Sequence, residues 1–285
     1  GIAGGYAYYK NQFIQTVHSA SSLISIKDNS NPLFTSNTSL TFNWGGTTDK
    51  VTTAIVQFKS RTHAEQVVEE LQYYINYFKE GDYYNVDAYK QTPFFVYADS
   101  SVAQLYRDNI RIKVLDQQTF ELSATFSSAT AGGFHYGEKR KETLEVPEGD
   151  WKQQFKFGDS IELPFLKVLI EKRAATIATG GEWLFNFGDY WGTVNSYKNI
   201  TIRPAPDGSS ILLLSLTGSN KQRLIDYINT SSVILERGEL ERKNKFAVST
   251  IEYIDSSLVL QEKALRKSEQ DLEEFKDTSQ LIDVL

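Results

Sequence analysis

The hydrophobic pattern is clearest near the C-terminus, where apolar residues recur every seven positions. The first position of this repeat holds Ile251, Leu258, Leu265 and Leu272, and the second holds Ala247, Ile254, Gln261, Ser268 and Phe275. Side chains at this spacing share one edge of a helix and form the seam of a coiled coil. Since no Gly or Pro interrupts residues 239–278, we predict one protruding helix of roughly 58 Å.

An apolar seam of this kind needs a partner helix that covers it. We define the seam by its apolar residues Ile251, Ile254, Leu258, Leu265, Leu272 and Phe275. Only SQLIDVL follows Thr278, so we expect the partner to be a returning helix of a longer protein or a neighbouring subunit. The alternative is an ordinary amphipathic surface helix, because Gln261 and Ser268 are polar and the repeat is short.

Alternating or continuous apolar runs predict strands elsewhere in the chain. SASSLISIK and NTSLTFNW indicate two strands, and Ser60 or Thr62 with Glu65 can cap a helix that follows them. INYF and FFVYA are further short apolar runs. Residues 111–195 are dense in short strands separated by glycine-containing turns, which is typical of a sandwich or barrel.

The segment NITIRPAPDGSSILLLSLTGSN predicts a hairpin that leads into a helix opened near Ser219 or Asn220. Because ILLLSL is apolar on both faces, it indicates a central strand in a helix-covered sheet. We expect the INYF and FFVYA region to pair with this strand across the β-rich residues.

Composition suggests a globular fragment of a larger membrane-associated protein. The sequence has 285 residues, 40% of them hydrophobic and 13% aromatic, and it contains no Met. Its start, GIAGGYAYYK, passes from small apolar residues through tyrosines to a lysine, as a transmembrane helix does where it leaves the bilayer. Ten residues are too few to span a membrane, so a short flexible N-terminal segment is an equally good interpretation of these residues.

Charge and motif content exclude several function classes. The net charge is −6 without a basic run, which argues against nucleic acid binding. With no Cys in the chain, disulfides and thiol catalysis are excluded. The sequence lacks the nucleotide-binding loops, the nucleophile elbow and the zincin motif.

The remaining candidates for chemistry are few. His18, His63 and His135 are isolated in sequence, and such histidines are usually structural. We therefore predict no catalytic, cofactor-binding or metal-binding residue. Trp151, Trp183 and Trp191 are candidate glycan contacts, since aromatic planes stack on sugars, although large aromatics in short strands mostly fill a core.

Four stretches taken in order resemble the polysaccharide co-polymerase, or Wzz-type chain-length determinant, family. They are IVQFKSRTHAEQVVEEL, YINYFKEGDYYNVDAYKQTPFFV, ITIRPAPDGSSILLLSLTGSNKQRLIDYINT and ERKNKFAVSTIEYIDSSLVLQEKALRKSEQDLEEFK. The chain is similar to the larger exopolysaccharide-transport members, which carry a β-rich insertion. Many of those members also carry a cytoplasmic tyrosine autokinase, but without a Walker motif none is assigned to this sequence.

The resemblance implies an α+β fold in which a membrane-proximal α/β base carries a β-rich insertion and a long helical arm. We expect residues 1–14 to be the stub of a membrane helix, 15–110 with 196–238 the base, 111–195 the insertion, and 239–285 the ascending arm of a helical hairpin. It also implies a homo-oligomeric ring on the periplasmic side of the inner membrane, anchored by flanking helices. Its expected partners are a polysaccharide polymerase and an outer-membrane export channel.

Two other function classes stay open at this point. One is a stalked carbohydrate-binding β module, in which the tryptophans would form the ligand face. The other is a hydrolase, whose catalytic carboxylates are defined by their separation in space rather than by sequence.

Overall fold

The fold is α+β. The computed structural model describes residues 17–26, 47–81, 84–205 and 208–282, and within them four helices accompany many antiparallel strands. The chain divides into two compact units, Gly1–Ile234 and Leu235–Leu285. The expected membrane stub (1–14) and the expected strand at 37–44 lie outside the described residues.

The helices are α1 (Thr47–Phe58), α2 (Arg61–Glu70), α3 (Tyr190–Lys198) and α4 (Lys221–Ile282). The strands are β1 (His18–Ser25), β2 (Ile75–Lys79), β3 (Val86–Asp87), β4 (Phe94–Ala98), β5 (Ala103–Leu105), β6 (Ile110–Val114), β7 (Thr119–Phe126), β8 (Thr130–His135), β9 (Arg140–Glu145), β10 (Gly149–Lys156), β11 (Ser160–Leu163), β12 (Leu166–Lys172), β13 (Glu182–Phe187), β14 (Thr201–Ala205) and β15 (Gly208–Gly218).

The described strands form four antiparallel sheets. The largest has six strands in the order β10-β7-β6-β13-β2-β3, and the others have the orders β1-β15-β14, β11-β12-β4 and β5-β8-β9. Alternation decides which face is buried, as in β6, where Ile110, Ile112 and Val114 are in the core. Strands that precede residue 110 in the sequence share a sheet with strands that follow it. For example, β2 pairs with β13 from Phe78↔Leu184 to Ile75↔Phe187.

The predicted hairpin at 201–218 is confirmed, but its expected partner is wrong. β15 is the centre of its sheet, between β14 and β1, with Leu214 opposite Ser22 of β1. The strands at INYF and FFVYA pair instead with β13 and β12. Burial on β15 alternates, with Leu212 and Leu214 buried while Leu213 is half-buried, so only one of the two apolar faces of this strand lies fully in the core.

Local signals set the helix starts as predicted at two places. Ser60 caps α2 by accepting a hydrogen bond from the His63 N–H. Asn220 caps α4, since its side-chain oxygen accepts from the N–H groups of Gln222 and Arg223. Helix α4 runs through Gly238 without a break, so the helix expected from residue 239 already begins at Lys221.

Candidate functional site

The first turns of α4 are fixed to the surrounding strands by buried polar groups. The Arg223 guanidinium donates to the carbonyl oxygens of Tyr73 and Ile75, each at 3.1 Å, and the Tyr73 hydroxyl donates to the Arg223 carbonyl at 2.6 Å. The Arg223 Nε lies 3.7 Å from a carboxylate oxygen of Asp87. A buried cation with fixed acceptors cannot slide, so these contacts set the register of α4 against β2.

Aromatic rings complete this anchor. The Arg223 guanidinium carbon lies 4.9 Å from the ring centre of Tyr73 and 4.7 Å from that of Tyr89, which are distances for cation–π attraction. The ring of Tyr197 stacks on that of Tyr227 with centroids 4.4 Å apart. Burial raises the pKa of Tyr197 to about 12, so these rings stay neutral at physiological pH.

Helix α2 also contacts α4 through a buried histidine and serine. The His63 Nε2 lies 2.6 Å from Ser231 Oγ, and the exposed fractions of the two residues are 6% and 1%. Burial lowers the pKa of His63 to about 4. The separation of His63 Nε2 and Ser231 Oγ lies in the range found for a catalytic nucleophile and its general base. Ser231 is buried inside a helix, however, where a substrate carbonyl cannot reach it. We interpret it as a structural contact.

The burial of α4 ends near Ile234, and the seam residues lie beyond it. Ile251, Ile254, Leu258, Leu265, Leu272 and Phe275 have exposed fractions between 49% and 68%. The seven-residue spacing extends toward the N-terminus to Leu240 and Asn244, which are exposed as well. The seam residues therefore form an exposed, mostly aliphatic row along one edge of α4.

A second apolar row lies on another face of the same helix and was missed by the sequence analysis. Phe246, Tyr253 and Leu260 are exposed by 59%, 73% and 68%. Each follows a first seam position by two residues, which is about 200° around a helix. The same seven-residue count that gave the seam could have found this row.

The structure does not bring the candidate tryptophans together. Trp151 on β10 packs edge-on against Phe165, Trp183 on β13 packs against Phe94, and Trp191 is on α3. Among the described aromatic contacts, none joins two of these three rings.

Trp191 is partly covered by charged side chains. The Arg61 guanidinium carbon lies 4.2 Å from its ring centre, and the Lys139 ammonium lies 6.0 Å away. A sugar stacking on that face would have to displace Arg61, which is also bound to Glu65 at 2.7 Å.

The other histidines and an open cavity at the start of α4 offer little for chemistry. The His135 ring binds the Ser101 carbonyl and the Glu138 N–H, while His18 lines an open cavity of about 820 Å³ at the start of α4. Lys90 and Asp87, which also line it, face Asp226 and Arg223 respectively. In the described part of the chain, no group of three His, Asp or Glu side chains is placed to hold a metal ion.

Comparison with family models and with curated proteins gave no match to this chain. In the described ranges, no helix is both long and apolar enough to cross a membrane.

Proposed function

We propose that this chain is the non-catalytic periplasmic part of a polysaccharide co-polymerase, which oligomerises and regulates the length or export of a surface polysaccharide. In this proposal the residues before α4 form the membrane-proximal base, and the exposed part of α4 is the ascending arm of a helical hairpin. The polysaccharide polymerase, an outer-membrane channel and the inner membrane are the proposed partners. The proposal rests on the sequence resemblance together with the surface of α4.

The observation that carries the proposal is the exposed seam on a helix of 62 residues. Fully burying one Leu or Ile side chain stabilises a contact by about 1.5–3 kcal/mol, so five buried seam aliphatics would strongly favour assembly. The second apolar row supports the same reading, because a helix with apolar residues on two faces is typical of the interior of a bundle. An assembling scaffold uses both faces.

A catalytic role finds less support in the described residues. The closest approach to a nucleophile and base is His63 with Ser231, which is buried in a helix. The carbohydrate-binding alternative needs rings that share one face, whereas Trp151, Trp183 and Trp191 are on three separate elements with no ring contact among them.

The test places charges in the seam of the full-length protein in cells that make the polymer. Leu258→Asp and Leu265→Asp should reduce oligomer size and change the polymer length distribution, because each buries a charge in an apolar contact. Gln270→Asp is the matched control, since Gln270 lies on the outer side of the same helix, beyond the second apolar row, and its change should alter neither property.

Oligomer size is measured by sedimentation of the detergent-solubilised protein, and polymer length by gel electrophoresis of extracted polysaccharide. Unchanged oligomers and unchanged polymer lengths in both leucine variants would contradict the proposal. Glycan binding by the chain that is lost in Trp183→Ala would instead favour the carbohydrate-binding alternative.

A further inference from the structure

We propose that the open cavity at the start of α4 binds a small sugar that carries one anionic group. The cavity has a volume of about 820 Å³, which is within the range of about 300–1,000 Å³ in which proteins hold small ligands. Its lining suits binding rather than catalysis. The proposed site is independent of the proposed function, because all of its residues precede the exposed part of α4.

The cavity lies where three segments of the chain meet. His18 begins β1 and pairs with Gly218, the last residue of β15. Ser219 and Lys221 follow directly at the start of α4, and the third segment is β3 with the residues after it as far as Gln91. These segments all belong to the compact unit Gly1–Ile234, so one folded body forms the whole site.

Polar contacts hold the inner wall of the cavity in place. The Lys90 ammonium lies 2.6 Å from a carboxylate oxygen of Asp226, and the Tyr89 hydroxyl donates to the same oxygen at 2.9 Å. The buried Asn220 side chain donates to the Tyr89 carbonyl oxygen at 3.3 Å. Lys90 has a φ of 58°, which is unfavourable for a residue with a Cβ, so these contacts fix a turn that is otherwise disfavoured. A wall formed before the ligand arrives lowers the entropic cost of binding.

The outer polar side chains of the cavity have no partner in the protein. Within the described part of the chain, no hydrogen bond or ion pair engages the side chains of His18, Tyr84, Gln91, Ser219 and Lys221. Most of these groups both donate and accept hydrogen bonds, as the hydroxyl groups of a sugar do. The apolar side chains of Val86 and Ile225 line the same cavity and can cover the C–H groups of a sugar ring.

The charges of the lining leave one cation unmatched. Lys90 is paired with Asp226. Asp87 faces the Arg223 guanidinium, with 3.7 Å between its carboxylate oxygen and the Arg223 Nε. Lys221 is exposed, and in the described ranges no carboxylate is paired with it. One free ammonium attracts a ligand with a single carboxylate or phosphate group, whereas a nucleotide with several phosphates is held by a glycine-rich backbone cradle with its own lysine.

Isothermal titration calorimetry of the whole chain with three sugars tests the proposed site. Glucuronate carries a carboxylate, glucose 1-phosphate carries a phosphate, and glucose carries no charge. We expect at least one of the two anionic sugars to bind about tenfold more tightly than glucose, since a hydrogen bond to a charged group is stronger than one between neutral groups. Their relative affinities identify the anionic group that the cavity prefers.

Charge variants locate the binding in the cavity. Lys221→Gln should lower the affinity for the anionic sugar to that for glucose, whereas Lys221→Arg should keep the preference because it keeps the charge. Lys152→Gln is the matched control and should change neither affinity. Lys152 is exposed and lies on β10, at the opposite edge of the six-stranded sheet from β3.

A neutral variant tests the polar groups. Gln91→Ala should weaken the binding of glucose and of the anionic sugar by the same factor, because the Gln91 amide carries no charge. The absence of binding by both anionic sugars, or an equal loss in Lys152→Gln and Lys221→Gln, would overturn the proposed site. Inorganic phosphate that binds as tightly as glucose 1-phosphate would show that the sugar ring contributes nothing, and would overturn the assignment of a sugar.

The outcomes separate this site from the proposed function and from the tryptophan alternative. Sugar binding together with unchanged oligomers in Leu258→Asp would support the site and count against the proposed assembly. Altered oligomers without sugar binding would refute the site alone. Binding that is lost in Trp183→Ala and kept in Lys221→Gln would place the sugar at the tryptophan, and would overturn the cavity as its site.

Discussion

Lowering the pH should destabilise the fold through one buried histidine. His63 is 6% exposed, packs edge-on against Phe58 with ring centres 5.3 Å apart, and contacts Ser231 on α4. No carboxylate is among its described contacts, so its cationic form would be buried without a counter-charge. Burial therefore lowers its pKa to about 4.

The sign and the size of the effect follow from this pKa. The unfolded chain binds a proton at His63 near pH 6.5, whereas the folded chain does so only near pH 4, so between these values the unfolded state holds more protons. The free energy of unfolding is then at its full value above pH 6.5 and falls as the pH drops toward 4. A difference of about 2.5 in pKa corresponds to roughly 3 kcal/mol.

Urea unfolding followed by tryptophan fluorescence from pH 7.5 to pH 4 measures this loss. The comparison is with His63→Gln, which keeps a hydrogen-bonding group toward Ser231 and cannot titrate. Other acidic groups contribute equally to both proteins, and Asp99, whose pKa is lowered to about 2 by hydrogen bonds from Ser101, titrates below this range. The difference in unfolding free energy should shrink by roughly 3 kcal/mol on acidification. Parallel pH profiles of the two proteins would refute the reasoning.

Two further predictions concern alkaline pH and backbone space. Burial raises the pKa of Tyr77 and Tyr197 to about 12, so the free energy of unfolding should hold below pH 10 and fall as the pH rises toward 12, by about 3 kcal/mol for each ring. An unfolding free energy in urea that stays constant from pH 10 to pH 12 would contradict this. In β8 a Cβ on Gly133 would lie 2.6 Å from Leu144 Cγ, whereas one on Gly132 meets nothing within 4 Å. Gly133→Ala should therefore cost about 1–3 kcal/mol in urea unfolding and Gly132→Ala less than about 0.5 kcal/mol, and equal losses would show that Leu144 moves aside.

Local features of the fold could be predicted because they depend on neighbouring residues. Ser60 and Asn220 are caps with short polar side chains just ahead of a helix, and the hairpin at 201–218 has its own turn residues. Helix α3 was missed because Tyr190–Lys198 contains aromatic residues and Gly192, which favour other structures. Its helix is set by Asp189, whose side chain accepts from the Gly192 N–H, and by the burial of Tyr190.

Strand partners could not be predicted because they depend on contacts far apart in sequence. Gln104 illustrates this: it is fully buried, its amide nitrogen donates to the Lys167 carbonyl at 3.0 Å, and its amide oxygen accepts from the Lys167 N–H at 2.9 Å. The side chain thus substitutes for a strand backbone, which no local pattern signals. The spacing of the apolar residues places the seam on α4. The partner of the seam stays a prediction, because the spacing would be the same whichever helix covered it.

The two parts of α4 obtain their stability from different sources. Residues up to Ile234 bury Leu224, Tyr227 and Ile228, so packing holds them in a helix. Beyond that point the described side chains are nearly all exposed, and a surface pair such as Glu262 with Arg266 contributes only about 0.3–0.5 kcal/mol. A buried seam leucine contributes about 1.5–3 kcal/mol, several times more than such a pair. The exposed part of α4 therefore gains most from covering its seam, and this is the physical reason to look for its function in assembly.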